Sequence, residues 1–236
     1  MDAITLRDVG YVREGRAVLS GISLDLSEGR IGVIGMNGAG KTQLLRLIAG
    51  LAAPDAGRVR LGAIDPARDR AAAIARIGIL FQNPDHQIIF PTVDEEVAFG
   101  LTEAGAAPDE AAAQVAATLA RFGRADWAGR HVQTLSQGQR HLLCLMAVLA
   151  MEPQTILLDE PFSALDLATT LHLRAILDQL PHRVIQVTHD LVALGHYERV
   201  IWLDAGGIAA DGSPGAVLPA YRAAMEERAR DVRLGL

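Results

Sequence analysis

An α/β fold with a mainly parallel sheet is what this chain predicts, on three observations. Short apolar, β-like runs recur at 31–34, 77–81, 155–158, 184–187 and 200–203. Helical stretches separate most of them, the alternation that builds a parallel sheet with covered faces. Charged or polar residues follow the runs, and ligands of such sheets sit beyond the carboxyl ends of the strands.

The first run, Ile31-Gly32-Val33-Ile34, leads into Gly35-Met36-Asn37-Gly38-Ala39-Gly40-Lys41-Thr42, then a helix-like stretch from Gln43. Strand, glycine loop and helix is the context that makes G-x-x-x-x-G-K-[ST] a phosphate site. The glycines let backbone N–H groups turn inward around an anion, and the helix N-terminus adds its positive end. Lys41 is expected to reach the β- and γ-phosphates of a nucleoside triphosphate, and Thr42 to ligate Mg²⁺.

Residues 84–152 read differently. Thr92-Val93-Asp94-Glu95 is a capping box opening a helix. An Ala-rich helix is expected over 109–122, and a third, apolar on most sides, from Ser136 to Met151. This block reads as a helical insertion in an α/β core. The next run, Thr155-Ile156-Leu157-Leu158, ends in Asp159-Glu160. Asp159 suits a role holding Mg²⁺, and Glu160 then sits where an attacking water is polarised. Alone, a strand ending in two carboxylates is often a surface turn; behind a P-loop at this spacing it gains meaning.

Composition narrows the options. At 236 residues the chain is one domain, or one with an inserted subdomain. A net charge of −6 argues against a nucleic-acid binder, which needs a basic face. The single cysteine, Cys144, rules out an internal disulfide and fits a reducing compartment. The N-terminus shows no secretory signal. The longest apolar stretch, 142–151, has ten residues, whereas a spanning helix needs ~20. The chain is therefore not expected to cross a membrane by itself.

Leu135-Ser136-Gln137-Gly138-Gln139 precedes the apolar helix. With it the chain resembles ATP-binding-cassette (ABC) ATPases over nearly its whole length. The family signature is usually Leu-Ser-Gly-Gly-Gln; Gln137 replaces the first glycine here. Gln82 matches the Q-loop glutamine, Ser163-Ala164-Leu165-Asp166 the D-loop, His189 the switch histidine, and Tyr11 the aromatic that stacks on adenine. A lone Gln, His or Tyr is usually solvated or packed; the ordered set is what gives these meaning.

The resemblance implies a P-loop NTPase core (1–83 and 153–236), an N-terminal antiparallel β subdomain, and a helical subdomain (84–152) carrying the signature, all in one ABC ATPase domain. It assigns ATP to Tyr11, to Asn37, Gly38, Ala39, Gly40, Lys41, Thr42 and Gln43, and to Ser136, Gln137, Gly138 and Gln139 acting from a second subunit. Mg²⁺ falls to Thr42, Gln82 and Asp159. Catalysis falls to Glu160, His189, Lys41 and Gln82. One P-loop and one signature per chain require two chains, and the complete set of catalytic positions favours a homodimer over a pairing with a related ATPase.

Phe81-Gln82-Asn83-Pro84-Asp85-His86-Gln87 is similar to the Q-loop of energy-coupling-factor (ECF) transporter ATPases, with His86 where a second Asp is common. This likeness implies a transmembrane coupling protein, a separate substrate-binding membrane protein, and a peripheral place on the cytoplasmic face of the inner membrane. The short length resembles the biotin-dedicated members, with cobalt or nickel uptake as the alternative. The acids Asp85, Asp94, Glu95 and Glu96 are expected to offer a docking groove to arginines of the coupling protein, Asp85 foremost. The tail from Tyr221 sets four arginines against three acids and reads as an amphipathic helix packed on the core or the dimer mate. A soluble, non-transport ABC ATPase would be expected to show fused cassettes, a coiled-coil insertion or basic extensions, and a P-loop kinase leaves the signature unexplained.

Overall fold

The computed structural model describes residues 2–163 and 165–234. In chain order its strands and α-helices are β1 (Ile4–Arg13), β2 (Arg16–Leu26), β3 (Arg30–Ile34), α1 (Lys41–Ile48), β4 (Ala56–Leu61), α2 (Arg70–Ile74), β5 (Ile77–Leu80), α3 (Val93–Glu103), α4 (Pro108–Arg121), α5 (Gln137–Ala150), β6 (Thr155–Asp159), α6 (Leu167–Asp178), β7 (Arg183–Val187), β8 (Arg199–Asp204), β9 (Gly207–Gly212) and α7 (Pro214–Leu234). Two compact units form: Asp2–Arg68 with Val184–Leu236, and Asp69–Arg183.

In the first unit β2, β1 and β4 make an antiparallel sheet in that order. Alternation along β2 sends Leu19, Ile22, Leu24 and Leu26 inward, as a half-buried strand requires. β3 pairs in parallel with β7 and with β8, and β9 closes antiparallel on β8. β3 and β7 are buried without alternation, the pattern of parallel strands covered on both faces. Leu194 packs so closely on β3 that a Cβ at Gly32 would meet it at 2.8 Å. α7 lies back on β8 and β9, with Val217 in a cluster with Ile34, Leu194, Tyr197 and Val200. Tyr221 packs against the same cluster, so the tail lies on its own core, within a helix that starts at Pro214. The expected tail's last two residues, Gly235 and Leu236, lie outside the described residues.

In the second unit β5 and β6 run parallel, and α3, α4 and α5 pack mutually. Each helix start has a local cause. Thr92 caps α3, its hydroxyl accepting from Glu95 N–H at 3.4 Å and donating to the Glu95 carboxylate at 2.6 Å. Pro108 opens α4, where Glu110 reaches back to the Ala107 N–H at 3.3 Å. Ser136 caps α5 and Asp166 caps α6. α5 is buried along most of its length, from His141 to Ala150.

Candidate active site

The phosphate loop links β3 to α1. Gly35 approaches the main chain of β8 so closely that a Cβ would stand 2.3 Å from the Leu203 carbonyl oxygen, and its φ is +151°. Gly40, the residue before α1, has φ +97° and backs onto β2, where a Cβ would meet Leu19 at 2.6 Å. Only glycine takes both places without strain. Lys41 is 6 % exposed, and its ammonium donates to the carbonyl oxygens of Gly35 and Met36 at 2.8 and 3.0 Å. A charge so enclosed is held at the inner rim of the loop, where an anion seated on the loop meets it. His189, which follows β7 across Thr188, places Nε2 3.1 Å from Asn37 Oδ1. The switch histidine is thus tied to the loop itself, a partner that sequence order does not reveal. Tyr11 on β1 is half-buried and registers with Leu19, the residue backing Gly40.

The other candidates lie in the second unit. Asp159 ends β6 with 8 % exposure, and Glu160 beside it holds φ +48°. A non-glycine in this left-handed region is uncommon and turns the Glu160 side chain out of the strand direction. Gln82 follows β5, and its amide nitrogen donates to the Ser163 hydroxyl at 3.1 Å. Its Oε1 remains as an acceptor. Thr42, Gln82 and Asp159 each carry an oxygen donor, hydroxyl, amide and carboxylate respectively, the ligand type Mg²⁺ takes. Among the described residues no cluster of three His, Cys, Asp or Glu offers a metal site of another kind.

The signature turn is a helix start. Ser136 and Gln139 cap each other: Gln139 N–H donates to Ser136 Oγ at 3.3 Å, and Ser136 N–H to Gln139 Oε1 at 2.9 Å. Gln137 occupies the first helical residue of α5, which any L-residue can adopt, so the signature needs no glycine there. Gly138 does need to be small: a Cβ would stand 2.6 Å from Thr169 Cγ2 on α6. Asp166 accepts from the Thr169 N–H and hydroxyl, each at 2.9 Å. These bonds, the main-chain one first, hold its carboxyl below the ordinary range. Ala164 of the D-loop lies outside the described residues.

The match to the ABC transporter family covers residues 19–163, from β2 through P-loop, signature and carboxylates to Ser163. The chain belongs to the ABC transporter family. It is 53 % identical to the biotin transport ATP-binding protein BioM of Rhodobacter capsulatus, over 98 % of each chain. Among solved structures it is similar to cbiO1 of Clostridium perfringens, part of the ABC transporter complex cbiONQ, with TM-score 0.81, 26 % identity and coverage of 100 % of this chain and 98 % of that one. It is also similar to a dimeric, post-hydrolysis ATP-binding cassette bound to ADP and Pi, with TM-score 0.76, 25 % identity and coverage of 89 % and 98 %. This ABC chain is an ATP-binding ATPase of the transporter type. No described helix is long and apolar enough to cross a membrane.

The acids expected at a docking surface each have a partner within the ABC chain, and Asp85 keeps its side chain 60 % exposed. Asp85 Oδ1 lies 3.0 Å from Arg140 Nε. Asp94 accepts from the Gly129 N–H, and Glu95 serves Thr92. Glu96, 6 % exposed, accepts from the N–H groups of Ile89 and Phe90 at 2.9 Å. Beside them Ile89 is 67 % exposed, and it lines with Ile88, Phe90 and Pro91 a cavity of about 370 Å³ that Asp85 and Arg140 bound. The main-chain partners of Asp94 and Glu96 are not visible in sequence. His141 received no role from sequence, yet it is buried beside Gln82. Its only signal is a polar residue at the head of an apolar helix.

Proposed function

We propose that the chain is the ATP-hydrolysing subunit of an ECF-type importer that takes up biotin. The supporting observation is the whole-length, 53 % identity to a biotin transport ATP-binding protein. In this reading Asn37 to Gln43 bind the phosphates and Tyr11 stacks on adenine. Lys41 neutralises the β- and γ-phosphates. Glu160 takes the proton of the attacking water, His189 contacts the γ-phosphate, and Gln82 senses it. Phosphoryl transfer asks little else of a protein than positioning and charge neutralisation. Thr42, Gln82 and Asp159 would hold Mg²⁺, which when bound neutralises charge developing on the transferred phosphoryl group. Ser136, Gln137, Gly138 and Gln139 act on the nucleotide of a second, identical subunit. Residues 1–83 and 153–236 serve as nucleotide-binding core and 84–152 as the signature-bearing helical subdomain.

The chain sits at the cytoplasmic face of the inner membrane, bound to a transmembrane coupling protein that holds a separate substrate-binding membrane protein. It binds no nucleic acid. The apolar face of Ile88, Ile89, Phe90 and Pro91 docks the coupling protein, with the Asp85–Arg140 pair giving direction to a cationic partner. Tagged chain purified from detergent-solubilised membranes should carry two small polytopic proteins, and the complex should take up labelled biotin with ATP. Retrieval of no membrane protein removes the importer reading; a complex that transports another solute removes biotin alone.

A further inference from the structure

His141 stands on α5 one turn after the signature, 1 % exposed. Both ring nitrogens face main-chain carbonyl oxygens: Nδ1 is 3.3 Å from Gln137 O, within the signature, and Nε2 is 3.3 Å from Gln82 O, in the Q-loop. Carbonyl oxygens only accept, and a neutral imidazole carries one N–H. The proton therefore serves one of the two. Gln137 lies four residues before His141 on the same helix, so its carbonyl already receives the helical N–H of His141. The Q-loop carbonyl has the greater need of the imidazole donor. Beyond it, Gln82 reaches the D-loop through Ser163 at 3.1 Å.

We propose that His141 is a positioning residue for ATP hydrolysis: as the Nε2–H tautomer it fastens the Q-loop main chain at Gln82 to the signature helix. Signature, Q-loop and D-loop are then joined by one run of hydrogen bonds through His141, Gln82 and Ser163. Displacement of the signature helix carries Gln82 with it. The inference rests on the reading that Gln82 and the signature act in turnover.

The test uses the full chain with its membrane partners. His141→Leu removes the donor; His141→Gln keeps an amide N–H able to reach Gln82 O. For the Leu variant kcat should fall roughly tenfold, the rate equivalent of about one hydrogen bond, with ATP affinity unchanged within about twofold. The Gln variant should recover most of kcat. Ring ¹⁵N shifts of the full chain should report Nε2–H. Wild-type kcat in a folded Leu variant overturns the proposal, as does a folded Gln variant at least tenfold slow, or an Nδ1–H tautomer. If the Leu variant does not fold, the Gln variant and the tautomer decide. Gln82→Ala is the control: wild-type turnover there overturns the underlying reading. Slow turnover there with a normal Leu variant overturns this inference alone.

Discussion

Glu160 shows what a single residue carries here. It extends a strand whose five residues are buried, and its φ of +48° takes the carboxylate out of the strand's path. Glu160→Gln keeps the shape and removes the proposed proton acceptor, so nucleotide binding should persist while turnover falls ~10²–10⁴-fold. ATPase rate and nucleotide affinity measured on one preparation check this; near-wild-type turnover would falsify the role. His141 gives a second expectation. Its folded pKa lies below the ordinary value of 6.5, so the unfolded chain takes the proton more readily. The stability tied to a neutral His141 is present above pH ~6.5 and is lost as pH falls from there through the lower folded pKa. The groups facing it are Asp85, which opposes the shift, and Arg140, which adds to it. Denaturant midpoints over this window should fall less steeply for His141→Gln than for wild type; parallel curves would remove His141 as the source. Cys144, on the same helix, is fully buried and its thiol is pushed up to about 12. It should resist iodoacetamide at pH 8 in the folded chain and react after unfolding.

Elements turn those residues into a site, and the phosphate loop illustrates two different demands for glycine. At Gly35 the β8 main chain leaves no room, since a Cβ would lie 2.3 Å from Leu203 O. At Gly38 nothing lies within 4 Å, and only the φ of +82° excludes side chains. Gly35→Ala should therefore cost more than Gly38→Ala. About 1–3 kcal/mol is typical of overpacking, and about 1–2 of a left-handed residue alone, so Gly35→Ala pays both. Each kcal/mol is worth roughly 2–4 °C in Tm for a chain of this size; equal melting temperatures for the two variants would contradict the close approach. The loop before α3 makes a separate prediction. Ile89 is exposed while Glu96 holds its main chain. Ile89→Asp should spare folding and ATP binding by the isolated chain but prevent co-purification of the coupling protein. A complex that assembles normally would place docking elsewhere. Asp85→Arg is a poorer probe, because the new cation would oppose Arg140 as well as any partner.

For the whole molecule, the decisive count is one P-loop and one signature per chain. On the proposed reading, two copies would complete two equivalent sites under two-fold symmetry. Cysteines at Met36, 45 % exposed on the phosphate loop, and at Gln137 in the signature should crosslink between chains. The background is Cys144→Ala with Glu160→Gln, and ATP should raise the yield. Crosslinks absent under all conditions, or confined within one chain, would contradict the paired arrangement.

Much of this was legible in sequence, and the reason is periodicity. The runs at 31–34, 155–158, 184–187 and 200–203 became β3, β6, β7 and β8 within a residue or two at each end, because buried parallel strands must be apolar throughout. Thr92 and Ser136 mark helix starts, and a cap is a local bond between residues three apart. The phosphate loop is equally local: glycine spacing, Lys41 and Thr42 suffice to name it. What sequence left open depends on groups far apart along the chain. Glu96 serves the Ile89–Phe90 main chain, Asp85 pairs with Arg140, and His189 meets Asn37. In sequence the acids read as a docking groove, Asp85 foremost, and His189 as the switch histidine at the γ-phosphate. The sequence determined where the main parallel strands and the phosphate-loop motif lie, since backbone propensity, capping and glycine geometry act within a few residues. Only the tertiary structure decided which polar groups are already satisfied inside the molecule and which surface stays open, since burial brings together partners that no spacing records.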